Sequence, residues 1–257
     1  MYEAHQPIEP RSVRRLRYML MPIALALALV ITALTVFHQT ALAGFQFSAC
    51  GAGGCGSIVD AVNLAPEGQG IAVMIPARDS LGVVITKSLY FLGGWTPPGG
   101  VCAVPNEVFT DTDGLFVYSP ITLSVLTGFD VPVMTISHTG RLTIEQIELQ
   151  SLGLPVERGG GISATLDSES HVLLNRVAIT GGVATEAGGG MYFDVRGGST
   201  LVISGSQILS NAAPYGGGIE VRLYDNSHLI IRNSEILSNV ANSGNGAGAR
   251  ILVESGY

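Results

Sequence analysis

Lysine is almost missing from this chain: Lys87 is the only one in 257 residues. Behind residue 43 it is joined by eight arginines and opposed by 18 acidic residues, a net charge of −9. So little positive charge excludes the basic face that nucleic acid requires. Cysteine is scarce too, with only Cys50, Cys55 and Cys102. No histidine lies near them in sequence and their spacings match no zinc pattern, which argues against a thiolate metal centre. In an oxidising compartment a Cys50 to Cys55 bridge would tie the entrance of the domain, leaving Cys102 unpaired or exchanging with one of them. Helical periodicity is absent from the second half of the chain, which excludes βαβ units there.

What is present begins with a leader. Arg11, Arg14, Arg15 and Arg17 precede an apolar run from Met19 to Phe37, and Ala41-Leu42-Ala43 supplies small residues before Gly44. Residues 1–43 therefore read as an export segment. It is either a cleaved signal peptide or, because the run has 19 residues, a retained transmembrane helix. The residues around Arg14-Arg15 do not fit a twin-arginine signal. Twelve residues separate Cys50 from Phe37, too many for a lipoprotein.

Glycine is abundant, at 34 residues, and in the second half it is periodic. The clusters Gly159-Gly160-Gly161, Gly188-Gly189-Gly190, Gly216-Gly217-Gly218 and Gly246-Ala247-Gly248 are spaced 29, 28 and 30. Three aliphatic columns keep the same step: Leu142, Val172, Leu201 and Leu229; Ile144, Leu174, Ile203 and Ile231; Leu149, Ile179, Ile208 and Ile236. The first two columns are two residues apart and flanked by polar residues, which is strand alternation with one buried face. A unit of 28–30 residues with short strands and Gly, Asn and Ser turns is one coil of a solenoid. The expected fold is an all-β, right-handed parallel β-helix with the aliphatic columns inside.

The glycine clusters fall at one corner of each coil. Gly160, Gly189 and Gly217 are expected where the chain bends through φ values that other residues resist and stacked corners leave no room for a Cβ. Ile-Leu-Ser-Asn recurs at Ile208–Asn211 and Ile236–Asn239. Asn211 and Asn239 are expected at one level, each amide bonding the turn backbone and its equivalent one coil away; ligand binding by an Asn row is the alternative.

Upstream, Ser57 to Ala65 carries apolar residues at helical spacing behind a serine cap, which predicts a short helix over the open end of the first coil. Ile71–Ile75, Val83–Thr86 and Ser88–Leu92 follow as strands, ending at Gly93-Gly94-Trp95. The succession Cys55-Gly56-Ser57-Ile58, Ala61-Val62, Ala65, Gly68, Ile71, then Ile85-Thr86-Lys87-Ser88-Leu89 and Gly93-Gly94, resembles the start of right-handed β-helix proteins of the pectin-lyase-like superfamily. Ile208-x-x-Asn211 and Gly216-Gly217-Gly218-Ile219 are similar to repeats of the polymorphic outer-membrane proteins, with Ile where those have Phe. The resemblance covers about residues 50–257.

That superfamily includes polysaccharide lyases and hydrolases. The N-T-D, D-D, G-H-G and R-I-K motifs of its galacturonan hydrolases are absent from this sequence. Asp111-Thr112-Asp113-Gly114 supplies two carboxylates, too few to fill six to eight calcium positions. His171 and His228 fall in one column with Arg141 and Thr200, two coils apart and too far for one metal. With His138 they read as outer-face residues. Asp194 and Glu220 follow their glycine clusters and form an acidic stripe with Arg196 and Arg222, which surface pairing explains as well as a binding site does. Trp95 either packs over the capped end or stacks on a sugar.

The reading is thus an export segment at 1–43, a capping and entrance region at 44–100, and coils over 101–257. The chain stops within a coil, so either further coils or a partner is expected there. No catalytic site, metal or cofactor is expected. The expected function is that of an exported, noncatalytic cell-surface or secreted protein, structural, adhesive or glycan-contacting. Its partners would be a surface glycan or another protein, and the membrane if the leader is retained. The alternative is a polysaccharide lyase or hydrolase whose site lies in further coils.

Overall fold

The computed structural model describes residues 45–49, 57–74, 82–96, 117–118, 123–138 and 140–254. The export segment, Cys50, Cys55, Cys102, Asp111–Gly114 and the side chains of Trp95 and His138 lie outside the described residues. Among the described residues, no helix is long and apolar enough to cross a membrane.

The chain first forms β1 (Phe45–Ala49) and α1 (Ile58–Leu64). Ser57 caps α1, its hydroxyl accepting from the Val59 N–H at 3.1 Å, because the first helical N–H groups have no partner within the helix. The helix buries Ile58, Ala61 and Val62. Lys87 closes its other end, donating Nζ to the carbonyls of Ala65 (2.7 Å) and Asn63 (3.1 Å). The lone lysine of the chain is thereby a C-terminal helix cap.

From β2 (Gln69–Met74) onward the strands wind as a parallel solenoid of about four turns. One sheet stacks β1, β2, β4 (Leu89–Thr96), β8 (Arg141–Glu145), β12 (His171–Asn175), β16 (Thr200–Ser204) and β20 (His228–Arg232). A second stacks β3 (Val83–Ile85), β7 (Met134–His138), β11 (Ile162–Leu166), β15 (Met191–Val195), β19 (Ile219–Leu223) and β23 (Ala249–Val253). A third stacks β6 (Ser124–Phe129), β9 (Ile147–Leu152), β13 (Ala178–Thr180), β17 (Gln207–Leu209) and β21 (Glu235–Leu237). A short fourth side is made by the pairs β10 (Val156–Arg158) with β14 (Ala184–Ala187), and β18 (Ala212–Ala213) with β22 (Val240–Ala241).

The three aliphatic columns are in register. Val172 pairs with Leu142 and Leu201, which pairs with Leu229; Leu174 pairs with Ile144 and Ile203, which pairs with Ile231; Ile179 pairs with Leu149 and Ile208, which pairs with Ile236. They also run one coil further back than the sequence period reveals, to Leu89, Phe91 and Leu126. The stretch between β4 and β6 breaks the repeat in sequence without breaking the stack. In the coil from Met191 the inward residues are Met191, Phe193, Val195, Leu201, Ile203 and Ile208, all essentially buried. Each such burial contributes about 1.5–3 kcal/mol.

β4 does not stop at Gly93-Gly94-Trp95 but runs through them to Thr96, its end pairing antiparallel with β5 (Val117–Tyr118). Gly93 allows this because a Cβ there would strike the Gln146 carbonyl of the next coil.

The glycine corners impose two requirements, positive φ and closeness of backbone, and the first glycine of each cluster meets both. Positive φ belongs to the first glycine of each cluster, with Gly159 at 61°, Gly188 at 62°, Gly216 at 54° and Gly246 at 81°. Lack of space is shared by the first and the second: a Cβ on Gly159 or Gly188 would strike the carbonyl oxygen of Ile162 or Met191, one on Gly160 would lie 2.7 Å from Gly182 Cα, and on Gly189 or Gly217 it would meet carbonyl oxygens of the following coil. Main-chain hydrogen bonds join the corners, Gly160 N–H to the Gly189 carbonyl at 2.9 Å and Gly217 N–H to the Gly246 carbonyl at 3.0 Å.

Candidate functional site

Polar ladders hold the inside of the turns. Asn211, buried beside the glycine corner, accepts from the Gly182 N–H at Oδ1 (2.8 Å) and donates Nδ2 to the Ile179 carbonyl (3.1 Å) and to Asn239 Oδ1 (3.0 Å). Asn239 donates in turn to the Ile208 carbonyl at 2.9 Å. Every polar atom of the Asn211 amide is engaged with the chain. Serines do the same elsewhere. The Ser199 and Ser206 hydroxyls accept from the N–H groups of Ser170 and Val177, both at 3.1 Å. Those serines carry the same 28–29 residue step, seen at Ser170, Ser199 and Ser227 and at Ser206 and Ser234, a signal masked by the frequency of serine.

On the outside, His171 pairs with Arg141 and Thr200, and Thr200 with His228, and both histidines are exposed. Among the described residues no group of three His, Cys, Asp or Glu is placed to hold a metal ion.

The outer face of the second sheet is different. Its two outward columns run Ser163, Tyr192, Glu220, Arg250 and Thr165, Asp194, Arg222. The expected stripe of Asp194 and Glu220 is therefore not one column: Asp194 lies beside Arg222, and Glu220 beside Tyr192. Nor is Glu220 a surface residue. It is fully buried, with Oε1 held by Arg222 (3.1 and 3.2 Å) and Oε2 by Arg250 (3.2 Å). Burial of a carboxylate is tolerated only with such partners. Arg196 stands in the turn after β15, 3.7 Å from Asp194 and over the Tyr224 ring.

Beside this face the short strand β10 stands up as a wall, and between them lies an open groove of about 310 Å³. Its floor is Ser163, Thr165, Tyr192 and Asp194, its wall Val156 and Arg158, with Pro132 contributed by an earlier coil. Tyr192 donates its hydroxyl to Asp194 Oδ1 at 3.0 Å, and Arg158 lies over its ring at 5.0 Å from the centroid. Burial, then the charge of Asp194 and that hydrogen bond, push the phenol up to about 12. At neutral pH Tyr192 is a donor and not a base. Arg158 is paired with Glu186 at 2.6 Å, a hydrogen bond that raises the guanidinium above its ordinary range despite burial. Arg222 is likewise raised: burial opposes its charge, and the Glu220 hydrogen bond with Tyr192, Glu220 and Asp194 outweighs it.

Neither Arg158 nor Tyr192 stands out in the sequence. They come from different sides of successive coils, 34 residues apart, and only the coil geometry brings them together.

The chain matches no protein-family model, no curated protein and no solved structure.

Proposed function

We propose that this is an exported, noncatalytic protein of the cell surface or the secreted fraction, a right-handed β-helix related to the pectin-lyase-like superfamily, whose coils form a stiff scaffold presenting the Tyr192 groove to a glycan. The observation that carries the reading is the groove itself. Arg158, the hydroxyl residues Ser163 and Thr165 and the Asp194 carboxylate line a shallow open trough whose floor includes the buried Tyr192, and such hydrogen-bonding groups are what sugar hydroxyls require. Arg158 is committed to Glu186, and Tyr192 is held protonated. Those states suit recognition rather than proton transfer at neutral pH.

Residues 44–257 tested on a glycan array, with reducing-sugar and unsaturated-uronate assays on every glycan bound, check this. The expected result is binding that Arg158→Ala weakens at least tenfold, without product. Turnover of any polysaccharide would replace the reading with that of a lyase or hydrolase, and absence of all binding would leave only a structural stalk.

A further inference from the structure

A file of charge and ring contacts runs along the solenoid beside the groove: Arg158, Tyr192, Arg222, Glu220, Arg250 and Tyr215. Arg158 and Arg222 both lie over the Tyr192 ring, at 5.0 and 5.4 Å from its centroid. Arg222 also grips Glu220 Oε1, while Oε2 goes to Arg250, whose own guanidinium lies 4.6 Å from the Tyr215 ring centroid. β15, β19 and β23 each supply one level of this file.

We infer that Arg250 in β23 is a positioning residue for Tyr192 two coils away, acting through Glu220 and Arg222, so that β23 and the groove form one cooperative unit. The reason lies in how Arg222 is shared. Glu220 is fully buried and has one oxygen for each arginine, so neither oxygen has water in reserve. Removing Arg250 bares Oε2 inside the protein, where an unpartnered carboxylate oxygen is strongly unfavourable. The nearest remedy is for Arg222 to swing so that it bridges both oxygens. That movement takes its guanidinium off the Tyr192 ring and away from its strand neighbour Asp194. The hydroxyl contact between Tyr192 and Asp194 and the stacking with Arg158 must then readjust. The mechanism is a chain of discrete contacts with two arrangements, as energetic coupling between separated sites requires. It stands on these contacts alone and holds whether or not the groove takes a glycan.

The test uses the full chain with ring-¹³C label on its eight tyrosines, Tyr192 being assigned by Tyr192→Phe. Arg250→Gln is expected to shift the Tyr192 ring resonance while leaving Tyr224, which sits against Arg196 outside the file, in place. The same change made in a Glu220→Gln background is expected to move Tyr192 by less than half as much, because the link is already cut. Arg250→Lys, which keeps the charge, should restore most of the wild-type position, and if Arg250→Gln does not fold, Glu220→Gln alone is expected to shift the Tyr192 ring because it too releases Arg222. The inference is overturned if Tyr192 stays still in Arg250→Gln or, where that variant does not fold, in Glu220→Gln, if Tyr224 moves as far as Tyr192, or if Glu220→Gln leaves the Arg250 effect undiminished.

Discussion

Asn211 donates its side-chain amide to Asn239 Oδ1, one coil further on, at 3.0 Å, while its backbone N–H reaches that same oxygen at 2.9 Å. Two successive turns are thus tied by one carbonyl oxygen, and the tie sits behind the glycine corner.

Asn211→Ala leaves the Gly182 N–H and the Ile179 carbonyl without partners in a buried place. The expected loss is about 2–4 kcal/mol, read from urea unfolding followed by circular dichroism. Asn239→Ala, at a less buried rung, should cost less. Equal costs would mean that burial does not govern the ladder.

Gly189 and Gly198 separate space from conformation. Gly198 has φ +72° and its nearest neighbour to a Cβ is 3.9 Å away, so Gly198→Ala should cost only the left-handed strain, about 1–2 kcal/mol. Gly189 has ordinary φ but no space, a Cβ there meeting the Ala212 carbonyl at 2.5 Å. Gly189→Ala should cost about 3 kcal/mol or more. Thermal unfolding of the two variants ranks them directly, and the reverse order would contradict the packing of the corner.

Ile203→Asp places a charge inside the aliphatic stack, where Leu174 and Ile231 flank it. Its own coil should unfold, seen as lost amide protection over residues 191–213, whereas Ile203→Val should cost about 1 kcal/mol.

Tyr192 gives a pH dependence with a defined sign. Its phenol is raised to about 12 in the folded chain from the usual 10, chiefly by burial. The folded state holds that proton more tightly than the unfolded one. Its contribution to stability is therefore fully present below pH 10 and is lost as the pH rises from 10 through 12. Tyr192→Phe should flatten that part of the stability curve, and an unchanged curve would mean that the ring is not buried as described.

Much of the solenoid is legible in the sequence, because inward residues must be apolar at every level and Leu, Ile and Val at a fixed step are a strong signal. What cannot be read is set by backbone or by distance. The turn between β8 and β9 and its successors uses a single left-handed residue, and Gln146, Arg176, Gly205 and Asn233 all serve there, with φ from 51° to 59°. A position held by four residue types leaves no column. The groove is hidden for the second reason: Tyr192 gains meaning only once β10 of the previous coil stands beside it. Glu220 misleads because its polarity places it at the surface, whereas Arg222 and Arg250 close over it.

The main-chain hydrogen bonds between coils run along the axis of the solenoid, so a pull on its two ends loads them one rung at a time. From β8 onward each coil that peels away frees 28–30 residues, about 100 Å of slack, before the next rung bears force. Over those coils the molecule gives under tension in repeated, nearly equal steps while the coils still wound keep their shape.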